Sequence, residues 1–231
     1  MKKNFSVYLL LAAIFFYGYL QARTQTTLDY QNRIHPEISS NFMVVSQNEH
    51  ATDAGYEVLR RGGNAVDAAV AVGFALAVTL PRAGNLGGGG FILIYDKNDD
   101  EVSSIDYRSA APKSATSDLF LKDGEVVRFG HLVNAVPGAV AGLLKAHEDF
   151  GSLPISDLLK PAIRLARDGF EVTYDLNFVL EWGKESMLAN ESSKTKFYDS
   201  NEEPIKVKTI FKQPNLAKTL FMISKNGSDV F

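Results

Sequence analysis

One side chain in this sequence is placed for chemistry by its surroundings, and it is Arg108. It follows a predicted strand, and a run of four glycines at 87–90 precedes the strand before that. An arginine fork binds a carboxylate through two parallel hydrogen bonds, which a lysine cannot reproduce. At the rim of a glycine-lined pocket, that fixed charge could hold an anionic substrate group. The competing use is local, as a partner for Asp106. The glycines themselves do not read as a nucleotide loop. A dinucleotide or P-loop site needs strand, glycines, then helix, and here the order is helix, glycines, strand, with no Lys-Ser/Thr pair. Four successive glycines point instead to backbone passing close to backbone, with positive φ and close ligand approach both available.

Other candidates fall away on spacing. His35, His50, His131 and His147 have no carboxylate or histidine partner at metal-ligand spacing, so no metal site is expected. No cofactor is expected either. His147, followed by Glu148 and Asp149, reads as a charged helix end. Asp67 stands three residues after Asn64 and reads as half of a capping box rather than as a base. No Gly-x-Ser-x-Gly elbow supports an α/β-hydrolase triad. Cysteine is absent, which excludes disulfides and thiol nucleophiles. The sequons at Asn190 and Asn226 are matches of pattern only.

These residues need a scaffold, and the sequence predicts one of mixed α and β. NFMVVS at 41–46 is a strand candidate. Apolar positions Ala51, Ala54, Val58 and Leu59 recur at helical spacing over 47–61, and Gly62-Gly63 ends that helix. Asn64 caps a second helix, Ala65–Thr79, so apolar that burial on every face is expected, with Pro81 stopping it. FILIYD at 91–96 reads as a buried strand, and KNDDE joins it to 102–108 as a hairpin. Asp123-Gly124 sets a tight turn within 120–129. Helices are predicted over 137–150 with Pro137 in the first turn, from a cap at Ser156 through Pro161 to Gly169, over 174–188, and over 215–225. The polar stretch 185–208 reads as a surface excursion. Hairpins outnumber any βαβ unit.

The 231 residues are 45% hydrophobic with a net charge of -3, which suits a globular chain able to bury a core and gives no reason to expect nucleic acid. Residues 1–22 read as a signal peptide: Lys2 and Lys3 precede an apolar run over 7–20, and Ala22 sits before a candidate cleavage point. An uncleaved anchor is the other reading, and both place 23–231 outside the cytoplasm, periplasmic or secreted. Residues 23–40 read as an irregular leader.

Three segments, RRGGNAVDAAVAVGFALAVT, PRAGNLGGGGFILI and DYRSAAP, closely resemble the large-subunit portion of the γ-glutamyltranspeptidases (glutathione hydrolases), and the resemblance extends over 43–231. NAVPGAVAG, LLKPAIRLARDGF and NLAKTLFMISKNG add weaker support. The resemblance implies an N-terminal-nucleophile hydrolase, an αββα sandwich (α/β, α+β) made as one precursor that cuts itself. The cut frees a threonine whose own amino group acts as its base. That threonine attacks a γ-glutamyl amide, forms an acyl-enzyme, and passes the group to water, an amino acid or a peptide. Glutathione and other γ-glutamyl compounds, together with the small subunit of the same precursor, are the implied partners. In the family the arginine of the Asp-aromatic-Arg motif, here Arg108, binds the α-carboxylate of the glutamyl group. The resemblance puts the nucleophile, the oxyanion-hole glycines and most groups holding the glutamyl amine in the small subunit. No catalytic residue is therefore expected within these residues, and the fold is expected to need the small subunit for completion. An acyl-amide acylase of the same fold, of the cephalosporin type, and a non-catalytic carboxylate-binding subunit are the alternative readings.

Overall fold

The computed structural model describes residues 38–127, 130 and 133–230. The chain divides into two units, 1–41 and 42–231. Of the first only 38–41 are described, exposed and irregular; the signal-peptide reading of 1–22 falls outside the described residues. All that follows concerns the second unit.

A single apolar helix organises the core. α1 (Glu49–Arg60) and α2 (Ala65–Thr79) pack side by side. A methyl group at Gly55 of α1 would meet the side chains of Val72 and Val44, at 2.7 and 2.9 Å, so glycine permits this approach. The capping box at α2 is complete: the Asn64 side chain accepts from the Asp67 N–H, and the Asp67 carboxylate accepts from the Asn64 N–H. α3 (Ala139–Phe150) and α4 (Ile155–Asp168) cover other faces of α2, and α8 (Pro214–Asn226) packs on α4. Phe74, Val70, Val78, Leu158, Leu159, Leu220 and Ile223 are fully buried between these helices. Burial of α2 is nevertheless uneven. Ala69 is exposed and Val72, Gly73 and Leu76 are half-buried, so one face of this helix opens on a groove.

β1 (Phe91–Asp96) and β2 (Glu101–Asp106) form the predicted antiparallel hairpin, with Ile92 opposite Ile105 and Tyr95 opposite Val102. The strand is half-buried rather than buried. Ile92, Ile94 and Ile105 face the core, while Phe91, Leu93, Tyr95 and Val102 point outward and are well exposed. Period-2 alternation fixes which residues share a face, but both faces here are apolar, so composition alone suggested full burial. Residues 41–46 take no strand. Burial alternates along 42–46, with Val44 packed inward and Met43 and Val45 exposed, but among the described residues no neighbour forms a ladder with them.

The second half adds shorter pieces. β3 (Leu121–Lys122) and β4 (Glu125–Val126) flank a turn whose Asp123 and Gly124 both have positive φ, 56° and 83°, as an Asp-Gly hairpin turn requires. Residues 128 and 129 of that predicted hairpin lie outside the described set. Helix α4 starts at Ile155, with Pro154 at its cap and no side-chain cap bond, so Ser156 sits in the first turn and does not cap it. Pro161 is accommodated inside the helix, and Gly169 ends it at φ 93°. The predicted helix over 174–188 breaks at Gly183 into α5 (Tyr174–Trp182) and α6 (Lys184–Leu188). The region 185–208 is tied down more than its polarity suggested. It holds α7 (Glu191–Phe197), and the buried Tyr198 hydroxyl donates to the Leu180 carbonyl at 2.6 Å. β5 (Phe170–Glu171) pairs with β6 (Ile210–Phe211), Phe170 opposite Phe211 and Glu171 opposite Ile210, a contact between distant segments that no local pattern announces.

Candidate active-site arm around Arg108

The β1–β2 ladder does not stop at Asp106. Gly90 and Tyr107 exchange two further backbone bonds, Tyr107 N–H to Gly90 carbonyl at 3.0 Å and Gly90 N–H to Tyr107 carbonyl at 3.4 Å. This extension brings the glycine run against the backbone that carries Arg108. At Gly89 a methyl group would stand 2.5 Å from both the Ser109 nitrogen and the Tyr107 oxygen. That is backbone against backbone, and nothing there can move aside cheaply. Gly88 is held from the other side, its carbonyl accepting the N–H groups of Gly138 and Ala139 at 2.9 and 3.0 Å. Close approach therefore explains Gly89, and Gly90 where a methyl group would meet the Tyr107 ring, while at Gly87 and Gly88 a methyl group would meet only Asn85, at 3.3 Å or more. None of the four adopts positive φ.

Arg108 itself is exposed. Its backbone N–H donates to the Asp106 carboxylate at 2.9 Å, and among the described residues no carboxylate pairs with its guanidinium. Asp106 thus serves the arginine's main chain. Tyr107 turns the opposite way, into the cluster formed by Gly90, Gly138 and Gly142, where burial pushes its hydroxyl pKa up. Tyr107 and these helix glycines were not singled out by sequence; the only available signal was the four-residue spacing of Gly138 and Gly142 in NAVPGAVAG.

Beside this arm lies an open apolar groove of about 710 Å³, lined among others by Val44, Val72, Leu76, Ile92, Tyr107 and Leu143. It runs along the half-exposed face of α2. Arg108 is not part of its lining.

The remaining sequence candidates have structural employment. Asp67 is fully buried and accepts from the Asn64 N–H at 2.9 Å, the Ser152 N–H at 3.0 Å, the Ser152 hydroxyl at 2.5 Å and the Leu153 N–H at 3.4 Å. Burial pushes this carboxyl's pKa up, but the Ser152 hydroxyl and the three backbone N–H groups outweigh it and hold it below the usual carboxylate value. It is a cap that also fastens the α3–α4 connection. His147 is more than a charged helix end, because its Nε2 bonds the Leu153 carbonyl at 2.7 Å. His50 lies edge-on to Phe170. His35 and His131 lie outside the described residues. Among the described residues no group of three His, Cys, Asp or Glu is placed to hold a metal. No helix among them is long and apolar enough to cross a membrane.

The described residues form a helical layer on an antiparallel hairpin, mixed α and β throughout, and their similarity to the solved structures below places the chain in the N-terminal-nucleophile hydrolase fold class. The chain belongs to the γ-glutamyltranspeptidase family, whose sequence model matches residues 51–231. It is 46% identical over 203 residues to the glutathione hydrolase proenzyme of Escherichia coli, covering 85% of this chain and 35% of that protein. Its structure superposes on the γ-glutamyltranspeptidase of Helicobacter pylori with a TM-score of 0.81 at 38% identity, covering 85% of this chain and 58% of the other. A cephalosporin acylase from Bacillus halodurans is more distant, with a TM-score of 0.66 at 25% identity over 87% of this chain and 40% of that one. The chain thus spans about a third of the length of the E. coli relative.

Proposed function

We propose that the protein carrying this chain is a γ-glutamyltransferase and glutathione hydrolase, and that Arg108 holds the α-carboxylate of the γ-glutamyl donor. The observation that carries the reading is the guanidinium of Arg108, unpaired among the described residues, on a backbone fixed from several sides, within a chain of this family. An exposed fork with no carboxylate partner among the described residues is free to take an external one, and its rigid mounting limits the entropy lost on binding. The chemistry belongs to a threonine in a small subunit of the same precursor. Its hydroxyl adds to the γ-amide carbonyl while its own amino group takes the proton, the amine leaves, and an ester-linked γ-glutamyl group remains. Water or the amino group of an acceptor then cleaves that ester. Glutathione and related γ-glutamyl compounds are the donors, amino acids and short peptides the acceptors.

The outward apolar face of β1–β2 and the groove along α2 support a second layer of the same protein lying there, since exposed apolar surface of this extent is costly to leave in water. Residues 1–22 would direct export as a signal peptide, with 23–231 as the N-terminal portion of the large subunit in the periplasm or medium. N-terminal sequencing of the exported protein tests that point.

The decisive assay is release of p-nitroaniline from γ-glutamyl-p-nitroanilide by the purified full protein, accelerated by an acceptor dipeptide. Release from a glutaryl anilide without release from the γ-glutamyl one would replace this reading with the acylase, which the lower identity to the cephalosporin acylase does not favour. Glutamate binding with no turnover of either donor would leave a carboxylate-binding subunit.

A further inference from the structure

The segment 134–142, NAVPGAVAG, has no role in the reading above, and its position gives it one. Gly138 and Gly142 stand one helical turn apart at the start of α3. A methyl group at Gly142 would overlap the Tyr107 ring, and one at Gly138 would overlap the Tyr107 carbonyl. From the opposite side, a methyl group at Gly90 would lie 2.9 Å from the Tyr107 hydroxyl oxygen and 3.0 Å from the ring. The tyrosine is therefore seated between two glycine surfaces, one on the loop and one on the helix. The helix is a stiff wall, because Val140, Leu143 and Ala146 anchor it in the core. The N–H groups of its N-cap, Gly138, and of its first residue, Ala139, donate to the Gly88 carbonyl, which locks wall and loop together.

Consecutive residues of an extended chain face opposite ways, so fixing the Tyr107 ring inward fixes where Arg108 leaves the backbone. We propose that Tyr107, seated by Gly138 and Gly142, is a positioning residue that aims the Arg108 fork at the donor's α-carboxylate. The proposal rests on the assignment of Arg108 made above. It predicts that disturbing the seat lowers selectivity for the carboxylate and leaves the acyl-transfer chemistry in place.

The test uses the full protein and two donors: γ-glutamyl-p-nitroanilide and 4-aminobutanoyl-p-nitroanilide, which lacks only the α-carboxylate. The quantity read is the ratio of their kcat/KM values. Tyr107→Phe keeps the ring and should retain the wild-type ratio. Tyr107→Leu, which removes the ring, and Gly142→Ala, which displaces it from the helix side, should each lower the ratio about 10-fold or more, towards that of Arg108→Ala, chiefly through KM for the carboxylate donor. An equal fall for both donors, or an unchanged ratio, overturns the proposal. So does failure of both variants to give folded protein, which would make the seat purely structural. Wild-type enzyme with no preference between the donors would instead remove Arg108 from the site, and the proposal with it. Preference lost in Arg108→Ala but kept in Tyr107→Leu and Gly142→Ala sinks the positioning role alone.

Discussion

The Asp106 carboxylate bonds the backbone N–H of Arg108 at 2.9 Å and leaves the guanidinium to other partners. An acid two residues from an arginine usually invites a side-chain pair, and that pair would neutralise the charge a substrate needs. Here the acid shapes the turn in an Asx-type arrangement and the cation stays available. Replacing Arg108 by Lys keeps the charge and discards the fork. A charge-assisted hydrogen bond is worth roughly 1.5–3 kcal/mol, so kcat/KM for a γ-glutamyl donor should fall about 10- to 100-fold. Part of the loss should appear in kcat, because a loosely held glutamyl group is also misaligned for attack. Self-cleavage of the precursor should survive, since it needs no donor in the pocket. Gel analysis of maturation alongside steady-state kinetics checks both halves.

Asp106→Ala probes the same relationship from the other side. The guanidinium remains, but its exposed backbone loses one tether. A loss of about 3- to 10-fold in kcat/KM is expected, carried by KM, in line with one ordinary hydrogen bond. A loss as large as that of Arg108→Ala would mean that Asp106 itself meets the substrate.

Local chemistry made much of this arm legible in the sequence. Asn64, Asp67 and Pro81 fixed the limits of α2, because caps and stops act within a few residues. KNDDE and Asp123-Gly124 gave both hairpins for the same reason. What stayed hidden depends on partners far along the chain. Helix α3 starts at Ala139 rather than at Pro137, and the Gly138 and Ala139 N–H groups, which a helix start leaves without intrahelical partners, go to the distant Gly88 carbonyl. The reason for glycine at 89 is likewise the backbone at 107–109, and at 90 the Tyr107 ring, not their own φ. Residues 41–46 have the composition of a strand, yet a strand exists only where a neighbour pairs with it. The seat of Tyr107 could be found only once α3 and the hairpin were brought together.

The outer face of the hairpin gives a prediction about the chain by itself. Phe91, Leu93 and Tyr95 are 62%, 78% and 60% exposed on one side of β1. Residues 23–231 produced alone should self-associate, and Leu93→Lys should reduce that association by placing a charge in the middle of the patch. Sedimentation velocity at several concentrations measures this. The same preparation should release no p-nitroaniline from γ-glutamyl-p-nitroanilide above background, because the proposed nucleophile lies in the small subunit. A monomeric, active preparation would contradict both statements.

The Asp67 carboxylate couples the N-terminus of α2 to the chain between α3 and α4, and its pKa should make that coupling visible in acid. The group is fully buried, and its charged form is the one that four donors satisfy. Burial alone would raise its pKa, but the Ser152 hydroxyl and the backbone N–H groups of Asn64, Ser152 and Leu153 lower it overall. A carboxyl with a lower pKa folded than unfolded contributes stability in full above its unfolded pKa of about 3.9. That contribution drains away as pH falls through the folded value. Asp67→Asn removes the charge and turns one acceptor into a donor facing other donors, which should cost about 2–4 kcal/mol at pH 7. The gap between wild type and variant should begin to narrow below about pH 4, where the carboxyl of the unfolded chain takes up its proton, and go on narrowing until the folded carboxyl follows at lower pH. Ser152→Ala removes only the hydroxyl donor and should cost less, with the acid transition moved to slightly higher pH. Urea midpoints of the full protein at pH 7 and pH 3 test the sign. A gap between wild type and Asp67→Asn that widens in acid would show that the carboxyl is held above its ordinary pKa and that burial wins.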